Sequence, residues 1–104
     1  MDQKEVSYEI TENIMIIHLP SEVDDHSCQN IREDTEKILR EKQIKQIVFD
    51  FSRTGFMDSA GIGALLGRYK RMKELGGEVV LYGEDSRVKR ILKISGIYQI
   101  MRSI

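Results

Sequence analysis

Short apolar segments rich in β-branched residues alternate along this chain with longer segments whose apolar residues recur at helical spacing. Residues 47–51 are mostly β-branched or aromatic and contain no glycine or proline, which predicts a buried central strand. A helical segment follows and ends at Gly76-Gly77, after which residues 79–82 predict another short buried strand. Because strands that alternate with helices pair in parallel through right-handed crossovers, the fold class is α/β.

The first twenty residues predict a different kind of strand pairing. Apolar and polar residues alternate over residues 6–10, as in a half-buried strand, and residues 14–19 form a more continuously apolar second strand. Glu12-Asn13 between them suits a tight hairpin turn. We therefore expect a mixed, mostly parallel β-sheet with an antiparallel edge, packed with amphipathic helices.

Apolar spacing and capping residues predict where these helices lie. The first begins after Asp24 or Asp25, either of which suits an N-cap, and reaches about Lys42. The second carries an apolar stripe made of Ile62, Leu65, Leu66, Tyr69 and Met72. Both helices are amphipathic, so each buries one face against the sheet.

The C-terminal part predicts a third helix and a last strand. Ser86 suits the N-cap of this helix and Gly96 its end, while residues 98–101 suit a final strand. A chain of 104 residues with 40% hydrophobic content builds one packed core and is too short for two ordinary domains. We therefore expect a single domain, residues 1–104.

Composition excludes several classes of partner and site. Sixteen Lys and Arg residues balance 17 Asp and Glu residues, so the overall field is too weak to attract nucleic acid or a membrane surface. The one cysteine, Cys28, has no partner for an internal disulfide, and no Cys/His spacing suits a metal site. Without a signal peptide or a spanning segment, the chain is expected to be cytoplasmic. Residues 61–67 miss the dinucleotide-binding fingerprint by one residue and no P-loop lysine follows, so no cofactor is expected.

The loop between the strand at residues 47–51 and the second helix carries the most informative residue, Ser59. Loops that leave the carboxyl end of a strand and enter a helix offer unpaired N–H groups and the positive end of the helix dipole. A phosphate on Ser59 would face that positive end, whereas a docked partner would meet its added negative charge. From the residues alone, the more ordinary role of Ser59 is a plain N-cap of the helix, and the local pattern does not decide between the two roles.

The residues around Ser59 resemble a known family. Asp50-Phe51-Ser52, followed by the segment at residues 56–63 (Phe-Met-Asp-Ser-Ala-Gly-Ile-Gly), resembles the signature of STAS domains, the family of bacterial anti-sigma factor antagonists. Further on, Gly67-Arg68-Tyr69-Lys70 and Ser95-Gly96 are similar to the sporulation branch of that family. The resemblance spans almost the whole chain and implies the STAS fold.

The resemblance also implies a partner-switching cycle. The unphosphorylated antagonist binds an anti-sigma factor that is also a serine kinase, and so releases a sigma factor. The kinase phosphorylates the serine that follows the motif aspartate, here Ser59, and the antagonist lets go. A metal-dependent serine phosphatase of the PP2C type resets the cycle. The chain itself is then no enzyme and has no catalytic residue.

The expected partner-binding surface centres on Ser59. It comprises Asp24, Met57, Asp58, Ser59, Ala60, Gly61 and Ile62. Asp24 and Asp58 should lie close together as an acidic rim if both loops leave the same end of the sheet, although each aspartate also suits a cap or turn. Gly61 permits close packing of the helix against either the sheet or a partner.

Two departures from the family pattern affect this surface. Many relatives have Ser or Thr after the acceptor serine, whereas this chain has Ala60, which leaves Ser59 as the one hydroxyl at that point of the motif. Relatives often read Gly-Glu-Leu-Asp before the first helix, whereas this chain reads Ser21-Glu22-Val23-Asp24. The carboxylate is kept, and the local turn is left open.

Other residues allow rival interpretations. Arg68, Lys70, Arg71 and Lys73 form a basic cluster whose spacing we assign to the solvent face of the second helix. His18 is expected to be a half-buried, hydrogen-bonded histidine. The rival functions are a STAS module of another regulatory or transport system, and a small nucleotide-binding protein or hydrolase. Weak homodimerisation of the free protein stays open.

Overall fold

The computed structural model describes residues 5–104, and this part of the chain contains six strands and three α-helices, of which the four longer strands and the three helices follow the expected order. The strands are β1 (Ser7–Thr11), β2 (Ile14–His18), β3 (Glu22–Val23), β4 (Gln46–Asp50), β5 (Phe56–Met57) and β6 (Glu78–Tyr82). The helices are α1 (Asp25–Glu41), α2 (Ser59–Glu74) and α3 (Ser86–Ile94). Within the same residues, every helix is too short or too polar to cross a lipid bilayer.

The main sheet has the order β1-β2-β4-β6 and is mixed. β1 and β2 pair antiparallel, whereas β2 with β4 and β4 with β6 pair in parallel. Glu12 in the hairpin turn has a φ of 56°, which matches the left-handed backbone that two-residue hairpin loops require. The predicted mixed sheet with one antiparallel edge is confirmed.

One face of this sheet carries the core. The register aligns Ile17, Phe49 and Leu81 across β2, β4 and β6, and all three side chains are fully buried. The apolar stripes of the helices, with residues such as Ile31 of α1 and Leu65 of α2, complete the same cluster. Burial of this cluster between the helices and the sheet is the main apolar contribution to the stability of the fold.

Aspartates cap all three described α-helices. The carboxylates of Asp24, Asp58 and Asp85 accept hydrogen bonds from the backbone N–H groups of Ser27, Ala60 and Val88 at 3.0, 2.9 and 2.9 Å, respectively. In α1 the cap is reciprocal, because the Asp24 N–H also donates to the Ser27 hydroxyl at 3.0 Å. Of the two candidates that the sequence offers, Asp24 is therefore the cap and Asp25 is the first helical residue.

The caps of α2 and α3 correct the prediction by one residue. The sequence suggests Ser59 as the N-cap of α2 and Ser86 as that of α3, but Asp58 and Asp85 take those places and each serine is the first helical residue. The physical reason is that a carboxylate caps as well as a hydroxyl and also interacts favourably with the helix dipole. Because Asp58 caps α2, the Ser59 hydroxyl is not needed for the cap.

The predicted final strand at residues 98–101 is wrong. Gly96, with a φ of 81°, turns the chain into the 3₁₀ helix Ile97–Gln99. The sheet-like pairing comes later, where the Leu81 N–H donates to the Arg102 carbonyl at 3.0 Å and the Ile104 N–H donates to the Leu81 carbonyl at 2.8 Å. The end of the chain therefore lies along β6, on the side away from β4.

Candidate functional site

A two-stranded parallel sheet brings the first turns of α1 and α2 together. Val23 of β3 pairs with Met57 of β5, and α1 and α2 begin two residues after this pair. The pairing is extended by the Asp58 N–H, which donates to the Val23 carbonyl at 3.2 Å. Strands β3 and β5 could not be predicted from the sequence, because a two-residue strand is too short to show an alternating pattern.

The consequence of this pairing is the acidic rim of Asp24 and Asp58, beside which Asp25 lies in the first turn of α1. Asp24 and Asp58 follow paired residues and cap neighbouring helices, so they lie side by side at one edge of the domain, as expected. The hydrogen bond from the Ser27 N–H holds the pKa of Asp24 below its usual value. Cys28 lies in the first turn of α1, and its pKa is raised to about 11. Burial is the main cause, and the negative charges of Asp58, Asp24 and Asp25 add to it.

Ser59 stands exposed at this edge, as the first residue of α2. Asp58 supplies the capping oxygen, so the Ser59 hydroxyl is available at the positive end of a 16-residue helix. The position suits attachment of a phosphate, because the positive end of the helix dipole stabilises an anion there. The nearby carboxylate of Asp58 opposes part of that gain.

Gly61 and Met57 lie beneath the surface and fix the position of Ser59. A Cβ atom added to Gly61 would meet Met57 Cγ at 2.3 Å and Val23 Cγ1 at 3.1 Å. The missing side chain of Gly61 therefore lets α2 pack closely against β3 and β5, which agrees with the interpretation that this glycine permits packing against the sheet. Met57 is 2% exposed, so we assign both residues a positioning role in place of direct contact with a partner.

A groove between α1 and α2 opens beside Ser59. The groove has a volume of about 530 Å³. One wall is formed by small residues of α2, namely Ala60, Gly63, Ala64 and Gly67. Asp25, Cys28 and Arg32 of α1 contribute to the other wall. Of the remaining expected contact residues, Ala60 and Ile62 are half-buried, so each still offers part of its surface to a partner.

Arg68 closes the far end of the groove and corrects another prediction. It is 7% exposed, and its Nη1 donates to Thr35 Oγ1 at 3.2 Å and to Glu36 Oε1 at 2.9 Å. Arg71 joins it through a 3.0 Å bond from Nε to Glu36. The hydrogen bond from Arg68 lowers the pKa of Glu36. The solvent-face assignment thus holds for Lys70 and Lys73 and is wrong for Arg68, because α1 crosses over that side of α2.

His18 is hydrogen-bonded as expected and lies on the sheet. Its Nδ1 is 2.8 Å from Asp50 Oδ2 and its Nε2 is 3.1 Å from Glu9 Oε1. Both ring nitrogens are therefore committed to carboxylates, which leaves neither nitrogen to act as a base toward Ser59. Among residues 5–104, no group of His, Cys, Asp and Glu side chains has the arrangement of a metal site.

Comparison with known proteins agrees with the fold. The STAS domain family matches residues 5–104. An anti-sigma F factor antagonist from Paenibacillus polymyxa is 32% identical over 97 residues, which cover 93% of this chain and 83% of that protein.

Two solved structures of SpoIIAA have the same fold. The anti-sigma factor antagonist SpoIIAA in its unphosphorylated form superposes with a TM-score of 0.86 at 27% identity, over 95% of this chain and 87% of that one. The Bacillus cell fate determinant SpoIIAA in the phosphorylated form gives a TM-score of 0.77 at 26% identity, over 95% and 90% of the two chains. The chain belongs to the STAS domain family and is similar along nearly its whole length to the anti-sigma factor antagonists of that family.

Proposed function

We propose that this protein is an anti-sigma factor antagonist that is switched off by phosphorylation of Ser59. The observation that carries the proposal is the exposed hydroxyl of Ser59, which begins α2 and is free of the cap because Asp58 fills that role. The proposal is supported by the similarity to anti-sigma factor antagonists and by a relative solved in both phosphorylation states.

The proposed partner is an anti-sigma factor with serine kinase activity. The kinase brings ATP and its metal ion, and the Ser59 oxygen attacks the γ-phosphorus while the hydroxyl proton passes to a base of the kinase and ADP leaves. This chain supplies the acceptor hydroxyl alone, so it acts as the substrate of an enzyme. Hydrolysis of the phosphoserine by a PP2C-type phosphatase restores the binding form, and we place the cycle in the cytoplasm.

We propose that the partner contacts the acidic rim, Ser59 and the exposed parts of Ala60 and Ile62. These residues share one edge of the domain, and the groove between α1 and α2 extends that surface. An unmodified Ser59 is small and neutral, and it fits under a partner. A phosphoserine adds about 1.5 to 2 negative charges to an edge that is already acidic, so the same partner then meets a charge that it must desolvate.

Phosphate mapping tests the acceptor site. Incubation with the cognate kinase and ATP, followed by mass spectrometry, should find a single phosphate on Ser59. Ser86 is the matched control, because it also follows a capping aspartate as the first residue of an α-helix. Thr54 is buried and donates to the Pro20 carbonyl at 2.8 Å, so it should stay unmodified. Phosphate on Ser86, Ser52 or Thr54 in place of Ser59 would contradict the proposal.

Asp24 should contribute charge to the interface as well as a cap to α1. Asp24→Asn keeps a side-chain oxygen that caps well, so the free energy of unfolding should change little, whereas Asp24→Ala should cost about 0.5 to 2 kcal/mol. We expect both variants to bind the kinase about tenfold more weakly, a loss of about 1.4 kcal/mol.

Calorimetric titration well below the melting temperature separates binding from stability. The matched control is Asp85→Asn, which makes the same change in the cap of α3. An unchanged dissociation constant for Asp24→Asn would restrict Asp24 to its capping role.

A further inference from the structure

Outside the Ser59 site, an exposed apolar surface lies between β5 and α3. It comprises Phe56, Arg87, Arg90, Ile91 and Ile94, and we call it the α3 surface. Phe56 is 53% exposed and Ile94 is 81% exposed. Exposure of two such large apolar side chains costs free energy that burial against a partner would recover.

The α3 surface contains a depression of about 530 Å³. Gly55 and Phe56 line one side, and the first two turns of α3 line the other with Ser86, Arg87, Arg90 and Ile91. Ile94 lies one turn beyond Arg90 and Ile91, so it continues the same stripe of the helix. The volume is within the range of about 300 to 1,000 Å³ that is typical of clefts that hold ligands. The depression can therefore receive a large apolar side chain.

The charged side chains that line this depression are both arginines, Arg87 and Arg90. α3 carries Arg87, Lys89, Arg90 and Lys93 and no carboxylate. Within residues 5–104, no ion pair includes any of these four side chains. Asp85, which precedes the helix, accepts the capping hydrogen bond from Val88. The two arginines at the depression are thus available for carboxylates, which a guanidinium binds in a bidentate geometry.

We propose that the α3 surface binds an acidic segment of a partner protein, which inserts one large apolar side chain into the depression and pairs its carboxylates with Arg87 and Arg90. The concave shape favours an inserted side chain over the flat surface of a bilayer. The acidic rim lies at the same edge of the main sheet as the start of α3, so an anionic membrane would be repelled there while it was attracted at α3. The proposal does not depend on phosphorylation of Ser59.

A peptide selection tests this inference with a defined probe. A phage-displayed library of random 12-residue peptides is selected on the protein and depleted on the variant Phe56→Ser/Arg87→Glu/Arg90→Glu. Enriched peptides should share a Phe, Trp, Leu or Ile flanked by Asp or Glu. In fluorescence titrations the triple variant should bind them at least about tenfold more weakly, and added salt should weaken binding to the unmodified protein.

The matched control is Lys42→Glu/Lys45→Glu, which reverses two exposed charges at the opposite end of the sheet. It should bind the peptides within about twofold of the unmodified protein. Circular dichroism must show both variants folded, which is expected because every changed residue is exposed.

Several results would overturn the proposal. They are a selection without enrichment, enriched peptides that lack acidic residues, and equal binding by the triple variant. Self-association in sedimentation, or flotation with phosphatidylglycerol vesicles, that is lost in the triple variant would also overturn it, because the surface would then serve a second copy or a membrane.

Discussion

Phosphorylation of Ser59 should lower the affinity for the cognate kinase at least about a hundredfold, which corresponds to about 2.7 kcal/mol. Within the free domain the effects of the phosphate nearly cancel. The positive end of α2 stabilises an anion by about 0.3 to 1 kcal/mol, and repulsion from Asp58 offsets that gain. At an interface the same phosphate must lose its water, which costs several kcal/mol unless the partner offers a matching arginine.

The melting temperature should therefore change by only a few degrees while binding is lost. Calorimetric titration gives the dissociation constants, and thermal unfolding followed by circular dichroism gives the melting temperatures. Backbone amide shifts should change mainly over residues 57–63. The solved structures of SpoIIAA in its unphosphorylated and phosphorylated forms both superpose on this chain.

Matched variants show whether the loss of binding depends on the position of the added charge at Ser59 or on the added charge alone. Ser59→Ala should bind the kinase like the unmodified protein and stay bound in the presence of ATP, whereas Ser59→Asp should bind weakly. Ser86→Asp adds the same charge at the same position of α3 and should leave kinase affinity unchanged. Amide shifts throughout the main sheet, or a much lower melting point on phosphorylation, would show that the switch is conformational and that this account is wrong.

The features that could be predicted from sequence depend on repeated local signals. The order of the main strands and helices is predicted by the spacing of apolar residues along the chain and by Gly76-Gly77, which marks the end of α2. The family motif singles out Ser59. The cap of α1 is predictable to within one residue, Asp24 or Asp25, because both precede a helical stripe. In each case several residues carry the same signal, so the tertiary structure is not needed to interpret it.

The features that were missed depend on contacts distant in sequence. β3 and β5 have two residues each and exist because they pair with one another. Arg68 is buried only because α1 crosses α2 there, where Thr35 and Glu36 receive it. Residues 98–101 are apolar enough to suggest a strand, yet the left-handed backbone of Gly96 leads the chain into the 3₁₀ helix Ile97–Gln99. A helical or strand period records which face is apolar and does not record what lies against it.

Gly61→Val should be the most damaging single substitution near Ser59, with a loss of about 2 to 3 kcal/mol in the free energy of unfolding. The added Cβ alone would lie 2.3 Å from Met57 Cγ and 2.7 Å from its sulfur. Met57 is 2% exposed and β5 is held by its pairing with β3, so the side chain has little room to move. The melting temperature should fall by about 10 to 20 °C.

Gly63→Val is the matched control in the same helix. A Cβ at Gly63 would meet no atom within 4 Å, and valine and glycine differ little in helix propensity, so stability should change by about 0.5 kcal/mol or less. Adding Met57→Ala to Gly61→Val should recover about 1 kcal/mol relative to the sum of the single changes, because the valine then fills the space of the methionine. Equal losses for the two glycine variants in denaturant titrations would contradict the packing role of Gly61. If that role is correct, Gly61→Val should also slow phosphorylation of Ser59, because β5 and the cap at Asp58 must move to admit the new side chain.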